Sequence, residues 1–105
     1  MNTVEINKGA TKVLKFSSEM NPLEIKQLGE ALDKVGGTSE ILIDLAEVSY
    51  ISSAFINFLV GIKSRKPATY DRIKLLNPND LVLKMLKLTP LNKMYRVHKI
   101  YPTAW

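Results

Sequence analysis

Residues 41–62 constrain the fold more than any other stretch. They read Ile-Leu-Ile-Asp-Leu-Ala-Glu-Val-Ser-Tyr-Ile-Ser-Ser-Ala-Phe-Ile-Asn-Phe-Leu-Val-Gly-Ile. Residues 41–45 form a short apolar run of the kind seen in a strand covered on both faces. Phe55, Phe58, Leu59 and Ile62 then recur at i, i+3, i+4 and i+7, the spacing of one helix face. Ser52 and Ser53 stand between the two patterns. A serine just ahead of a helical apolar pattern reads as an N-cap, because its hydroxyl accepts from free N–H groups of the first turn. The stretch therefore predicts a central strand, a short loop, and a helix that begins within two residues of Ser53.

The same kind of reading extends outward. Residues 3–6 and 12–16 read as two strands, with Lys8-Gly9-Ala10 as the turn of a hairpin. Residues 17–20 read as a linker. Asn21-Pro22-Leu23-Glu24 is a helix start, with a capping Asn, Pro at the first helical position and an acid where a capping box has one. Ile25, Leu28, Leu32 and Val35 make the stripe of that helix, and Gly36-Gly37 ends it. The central strand is expected from residue 40 to 45 and its helix from 53 to about 64, with Pro67 as the stop or just past the end. A strand over 72–76 and an Asn77-Pro78-Asn79-Asp80 turn follow. The next helix carries Leu81, Val82, Met85 and Leu86. After a break at Thr89-Pro90 comes a short turn through Leu91 and Met94, then a last strand or tail over 95–101. Alternating strands and helices imply an α/β fold with a mixed sheet of about four to five strands and helices mainly on one side. The expectation is one domain spanning residues 1–105.

Composition excludes several classes of function. There is no cysteine, so no thiolate chemistry, and with a single histidine, His98, a zinc site is not expected. His98 with Ser52 or Ser53 would be the only route to Ser-His-Asp catalysis, and no Gly-x-Ser-x-Gly elbow surrounds either serine. No phosphate-cradling glycine loop is present. Asp44 and Glu47 read as solvated or capping carboxylates. No catalytic residue, metal or cofactor is assigned. No apolar run reaches the roughly 20 residues of a membrane span, and the first residues do not resemble a signal peptide, so a cytoplasmic protein is expected.

The charge is uneven. Residues 1–50 carry 5 basic and 8 acidic side chains, whereas residues 51–105 carry 10 basic and 2 acidic. Such asymmetry points to an acidic partner surface or to weak non-specific affinity for nucleic acid. The cations are dispersed, which argues against a dedicated nucleic-acid module.

The motifs from residue 41 onward resemble those of the STAS domain family, the bacterial anti-sigma factor antagonists. Ile41-Leu42-Ile43-Asp44-Leu45 resembles the family strand that ends in Asp-Leu, and Val48-Ser49-Tyr50-Ile51 its turn. Ser52-Ser53-Ala54-Phe55-Ile56-Asn57 stands where the family has Asp-Ser-Ser-Gly-Leu-Gly. Asn77-Pro78 and the leucine-rich run through Leu88-Thr89-Pro90-Leu91-Asn92-Lys93 resemble its later turn and last helix. The resemblance implies a regulatory, non-enzymatic protein-binding module. Its partner would be an anti-sigma factor with serine kinase activity, or another STAS-binding protein. It implies Ser53, ahead of Ser52, as the phosphorylated residue, and Ser52, Ser53, Ala54 and Asn57 as the partner-binding surface. Ser52 replaces the family aspartate, while Phe55 and Asn57 replace its two small residues; a bulky Phe55 is expected to alter the docking surface. A monomer or weak homodimer is expected. Two other readings remain open: a STAS-type accessory subunit of a lipid or anion transport system, and a binder of a small anionic ligand or nucleotide at the helix start.

Overall fold

A computed structural model describes residues 4–8, 11–34 and 40–99. In chain order the elements are β1 (Val4–Lys8), β2 (Thr11–Glu19), α1 (Pro22–Asp33), β3 (Glu40–Tyr50), α2 (Ser53–Arg65), α3 (Pro67–Tyr70), β4 (Ile73–Leu76), α4 (Asp80–Lys87), α5 (Leu91–Met94) and β5 (Arg96–His98). They build one five-stranded sheet in the order β1-β2-β3-β4-β5. The β1–β2 pair is antiparallel, and β2 through β5 are parallel to one another. Each step from β2 to β5 is a crossover through helix, as parallel neighbours require. The mixed α/β sheet expected from the sequence is present.

Alternation along the strands separates the two faces. Leu14, Phe16, Ile41, Ile43, Leu45 and Leu75 belong to the main core, together with Leu28 and Leu32 of α1, Phe55, Leu59 and Ile62 of α2, and Val82 and Leu86 of α4. Val13, Leu42 and Leu76 form a separate small cluster, at the strand positions that alternate with those of the main core. The helices thus serve one face of the sheet, with β3 at its centre.

Three strand and helix limits differ from expectation. β2 continues through Glu19 and absorbs most of the expected linker at 17–20. β3 continues to Tyr50 and absorbs all but the last residue of the expected turn at 48–51. Both extensions have one cause: the two strands stay paired beyond Lys15 and Asp44, through Ser17↔Glu47, Ser18↔Val48 and Glu19↔Tyr50, with irregularities after Lys15 and after Ser18. Bulges of this kind accommodate turn-forming residues without ending a ladder. Pro67 does not merely stop α2. It occupies the first position of the short α3, where its missing N–H costs nothing. The expected turn at Gly9-Ala10, Val35, Gly36-Gly37, and Ile100 and Tyr101 lie outside the described residues.

Asn77 ties the strands to one another, and Tyr95 ties the chain before β5 to α2. Asn77 follows β4 with φ 56°, a left-handed conformation that Asn tolerates better than most residues. Its N–H donates to the His98 carbonyl (2.8 Å), and its side-chain amide reaches Asp44 Oδ1 (3.5 Å). Asp44 is therefore not a solvated carboxylate: it is 1% exposed and also accepts from the Ala46 N–H at 3.0 Å. Tyr95 donates its hydroxyl to the Leu59 carbonyl (2.5 Å) and meets Tyr70 edge-on, with ring centres 5.2 Å apart. Burial, and secondarily Tyr70, raise the Tyr95 hydroxyl above its ordinary range, so it stays a donor.

Candidate functional site

Three helices begin at the carboxyl end of the parallel strands, and each is capped in the same way. Asn21 accepts from the Glu24 N–H (2.9 Å), Ser52 from the Phe55 N–H (3.1 Å) and Asn79 from the Val82 N–H (2.8 Å). The three starts are tied to one another through the strands. Ser52 Oγ donates to the Met20 carbonyl (2.7 Å), just before α1, and the Asn79 amide donates to the Val48 carbonyl (3.1 Å) of β3. In open α/β sheets this end is where ligands and partners are received.

The two serines have different duties. Ser52 is half-buried, with both lone pair and proton committed to the fold. Ser53, the first residue of α2, is exposed, and its hydroxyl has no partner among the described residues. Ala54 and Asn57 are exposed as well, with Asn57 one turn beyond Ser53. The opposite stripe of α2, Phe55, Leu59 and Ile62, is buried. So Ser53, Ala54 and Asn57 share an open face, while Ser52 sits behind it as the cap. Phe55 does not enlarge that face: at 0% exposure it is core, because it lies at i, i+4 and i+7 with Leu59 and Ile62 on the inward stripe. Phe58, expected with the core stripe, is only half-buried and turns toward α1.

This division makes a direct prediction for thermal melts. Ser52→Ala should cost about 1 kcal/mol, the usual worth of a cap, and more if the Met20 carbonyl is left unsatisfied. Ser53→Ala should stay within about 0.5 kcal/mol, as exposed substitutions do. Equal losses at the two positions would show that the cap had been assigned to the wrong serine.

Exposed apolar side chains stand in the first turns on either side, Leu23 at 60% in α1 and Leu81 at 56% in α4, with Tyr50 at 47% at the end of β3. The sequence placed Leu81 in the buried stripe of α4; as the second residue of the helix it faces outward, and Val82 and Leu86 carry the packing. Glu24 is buried, its Oε2 has no hydrogen-bond partner among the described residues, and burial raises the carboxyl above the ordinary range. His98 is exposed on the edge strand β5, and neither hydrogen bond of Ser52 involves it. No helix among the described residues is long and apolar enough to cross a membrane.

The family model described as Mlab, STAS domain matches residues 5–98. The chain belongs to the STAS domain family. Several solved structures share its fold. The anti-sigma factor antagonist SpoIIAA in its unphosphorylated form superposes with a TM-score of 0.77 at 17% identity, covering 95% of this chain and 89% of that one. An anti-sigma factor antagonist from Mycobacterium paratuberculosis gives 0.70 at 22% identity, covering 98% and 86%. The murine anion transporter Slc26a9 gives 0.66 at 15% identity, covering 88% of this chain but 16% of the transporter. No curated protein matches by sequence. The STAS assignment accounts for the order of the elements and for the helix that opens on Ser52–Ser53.

Proposed function

We propose that residues 1–105 act as one STAS domain, a non-enzymatic cytoplasmic regulator that reversibly docks a partner protein. The docking surface is the Ser52–Ser53 loop and the open face of α2, with Ser53, Ala54 and Asn57 in contact and Ser52 holding the loop in place. The partner is an anti-sigma factor with serine kinase activity, and Ser53 is the residue it modifies. One observation carries this reading: Ser53 offers an uncommitted, exposed hydroxyl at the start of a 13-residue helix, whereas its neighbour's hydroxyl is used twice by the fold. A phosphate there would bring about two negative charges. The N–H groups of Ser53 and Ala54, unpartnered among the described residues, and the helix dipole would accommodate them. The cost then falls on the interface rather than on the fold.

Incubation with ATP and a serine-kinase anti-sigma factor of the same genome, followed by mass spectrometry, tests the switch. Phosphate is expected on Ser53. Phosphate on Ser52, or on neither serine, would leave a docking module without this switch. The match to the Mlab branch and the shared fold of the anion transporter support a second reading, an accessory subunit of a lipid or anion transport system. In that reading the same face docks a transport protein and Ser53 stays unmodified.

A further inference from the structure

Beyond Asn57, α2 meets α1 along an open groove of about 180 Å³. Leu32, Phe58 and Ile62 line its apolar part, and Asp33, Arg65 and Lys66 its polar part. Both glycines among the described residues belong to this region. Gly29, inside α1, faces the Phe58 ring. A Cβ there would stand 3.5 Å from the ring, an ordinary contact, and the backbone at 29 is not left-handed. Glycine inside a helix costs roughly 0.5–1 kcal/mol relative to alanine. Neither crowding nor backbone conformation requires it here; what its missing side chain leaves is the open groove.

Gly61, inside α2, lets Arg65 fold back over its own helix, where a Cβ would stand 3.2 Å from Nη2. Arg65 Nε donates to the Gly61 carbonyl (3.4 Å) and Nη2 to the Phe58 carbonyl (3.3 Å), with the guanidinium 5.3 Å from the centre of the Phe58 ring. These bonds are long and individually weak, yet together they set where the cation lies. They use a minority of the five guanidinium N–H donors, and Arg65 has no carboxylate partner among the described residues. The neighbouring Lys66, just past α2, forms an ion pair with Asp33 of α1.

We infer that this groove is a second docking site, separate from the Ser53 face, for a segment of a partner protein that carries a carboxylate beside an apolar side chain. Charge complementarity supplies the first reason: with Lys66 and Asp33 paired to each other, a guanidinium with no carboxylate partner among the described residues stands beside an apolar floor. Size supplies the second. The volume is below the roughly 300–1,000 Å³ of small-molecule pockets and suits one inserted side chain. Aromatic and arginine side chains are also the usual anchors of protein interfaces. Arg65 lies 12 residues after Ser53, about 18 Å along the helix axis, so the two surfaces are separable.

A fluorescein-labelled peptide with leucines at helical spacing and glutamates between them, compared with its lysine counterpart, tests this by anisotropy. The acidic peptide should bind saturably and the lysine peptide should not. Arg65→Glu, and Gly29→Leu, which fills the groove, should each weaken binding by about tenfold or more. Lys87→Glu, with the same change of charge on α4, and Ser53→Asp should leave it within about twofold, so the result is independent of the Ser53 switch. Gly29→Ala should fold and melt no lower than wild type, which separates groove filling from misfolding. Absent binding, equal binding of the lysine peptide, or binding that survives Arg65→Glu and Gly29→Leu would overturn the site. Saturable binding of 4-phenylbutyrate that excludes the acidic peptide would also overturn it, by assigning the groove to a small carboxylate.

Discussion

Leu59→Ala is expected to lower the unfolding free energy by about 2–5 kcal/mol, the range for truncating a buried leucine. Leu59 is 0% exposed, midway along the inward stripe of α2 between Phe55 and Ile62. Its carbonyl receives the Tyr95 hydroxyl, so any settling of α2 into the vacated space would also disturb that 2.5 Å bond. The loss arises from apolar area no longer removed from water and from a cavity that the close-packed surroundings only partly fill. For a domain with total stability of about 5–15 kcal/mol, this is a large share. Denaturant melts measure it; a change below about 0.5 kcal/mol would mean the buried face of α2 had been misassigned. Phe58→Ala should cost less despite the larger side chain, because its ring is half-buried at the α1 groove.

Ser53→Asp is expected to leave the melting temperature nearly unchanged while weakening partner binding by about tenfold or more. The carboxylate would sit in the first turn of α2, where a negative charge is favoured by roughly 0.3–1 kcal/mol. At a docked interface the same charge must be desolvated or face a surface shaped for a neutral hydroxyl. Ser53→Ala should bind constitutively. Asn57→Arg, one turn farther along the open face, should also impair binding, through bulk and charge. Titration calorimetry against the purified partner reads both effects. If Ser53→Asp and Asn57→Arg each bind as wild type does, the partner does not use this face.

The central strand, the loop and the helix of residues 41–62 were legible because two local signals coincided there: an apolar run, and a 3.6-residue stripe preceded by capping hydroxyls. Strand ends were less legible. Ser17, Glu19, Glu47 and Ser49 carry no strand signal of their own, and pairing between β2 and β3 holds that stretch extended. Pro67 read as a stop because proline disfavours the helical conformation in the residue before it; that it then opens another helix depends on where the chain turns after Lys66. The burial of Asp44 could not be read from its neighbours in sequence, since its partner Asn77 lies 33 residues away.

At the site, sequence placed Ser52 and Ser53 at the start of α2 but left open which serine caps. The Phe55 N–H settles it by donating to Ser52 Oγ, and the Ser52 proton is held by the Met20 carbonyl, 32 residues earlier. The expectation that Phe55 alters the docking surface rested on the motif substitution alone; the apolar stripe, which already put Phe55 with Leu59 and Ile62, decides that it turns inward. The α1–α2 groove was missed altogether. Its only trace in the sequence is Gly29 and Gly61, each inside an otherwise regular helical stripe, and nothing local shows that Phe58 and Arg65 gather beside them.

The double hydrogen bond of Ser52 has a consequence for timing. With the residue before Ser53 fastened to the start of α1, a charge added at Ser53 has no hinge through which to reshape the domain. Any switching is then a matter of how long a complex lasts, and not of an internal relaxation between two folds. A modified copy should leave its partner faster, with the dissociation rate absorbing most of the change. No microsecond-to-millisecond exchange should be seen in the free protein around residues 50–57.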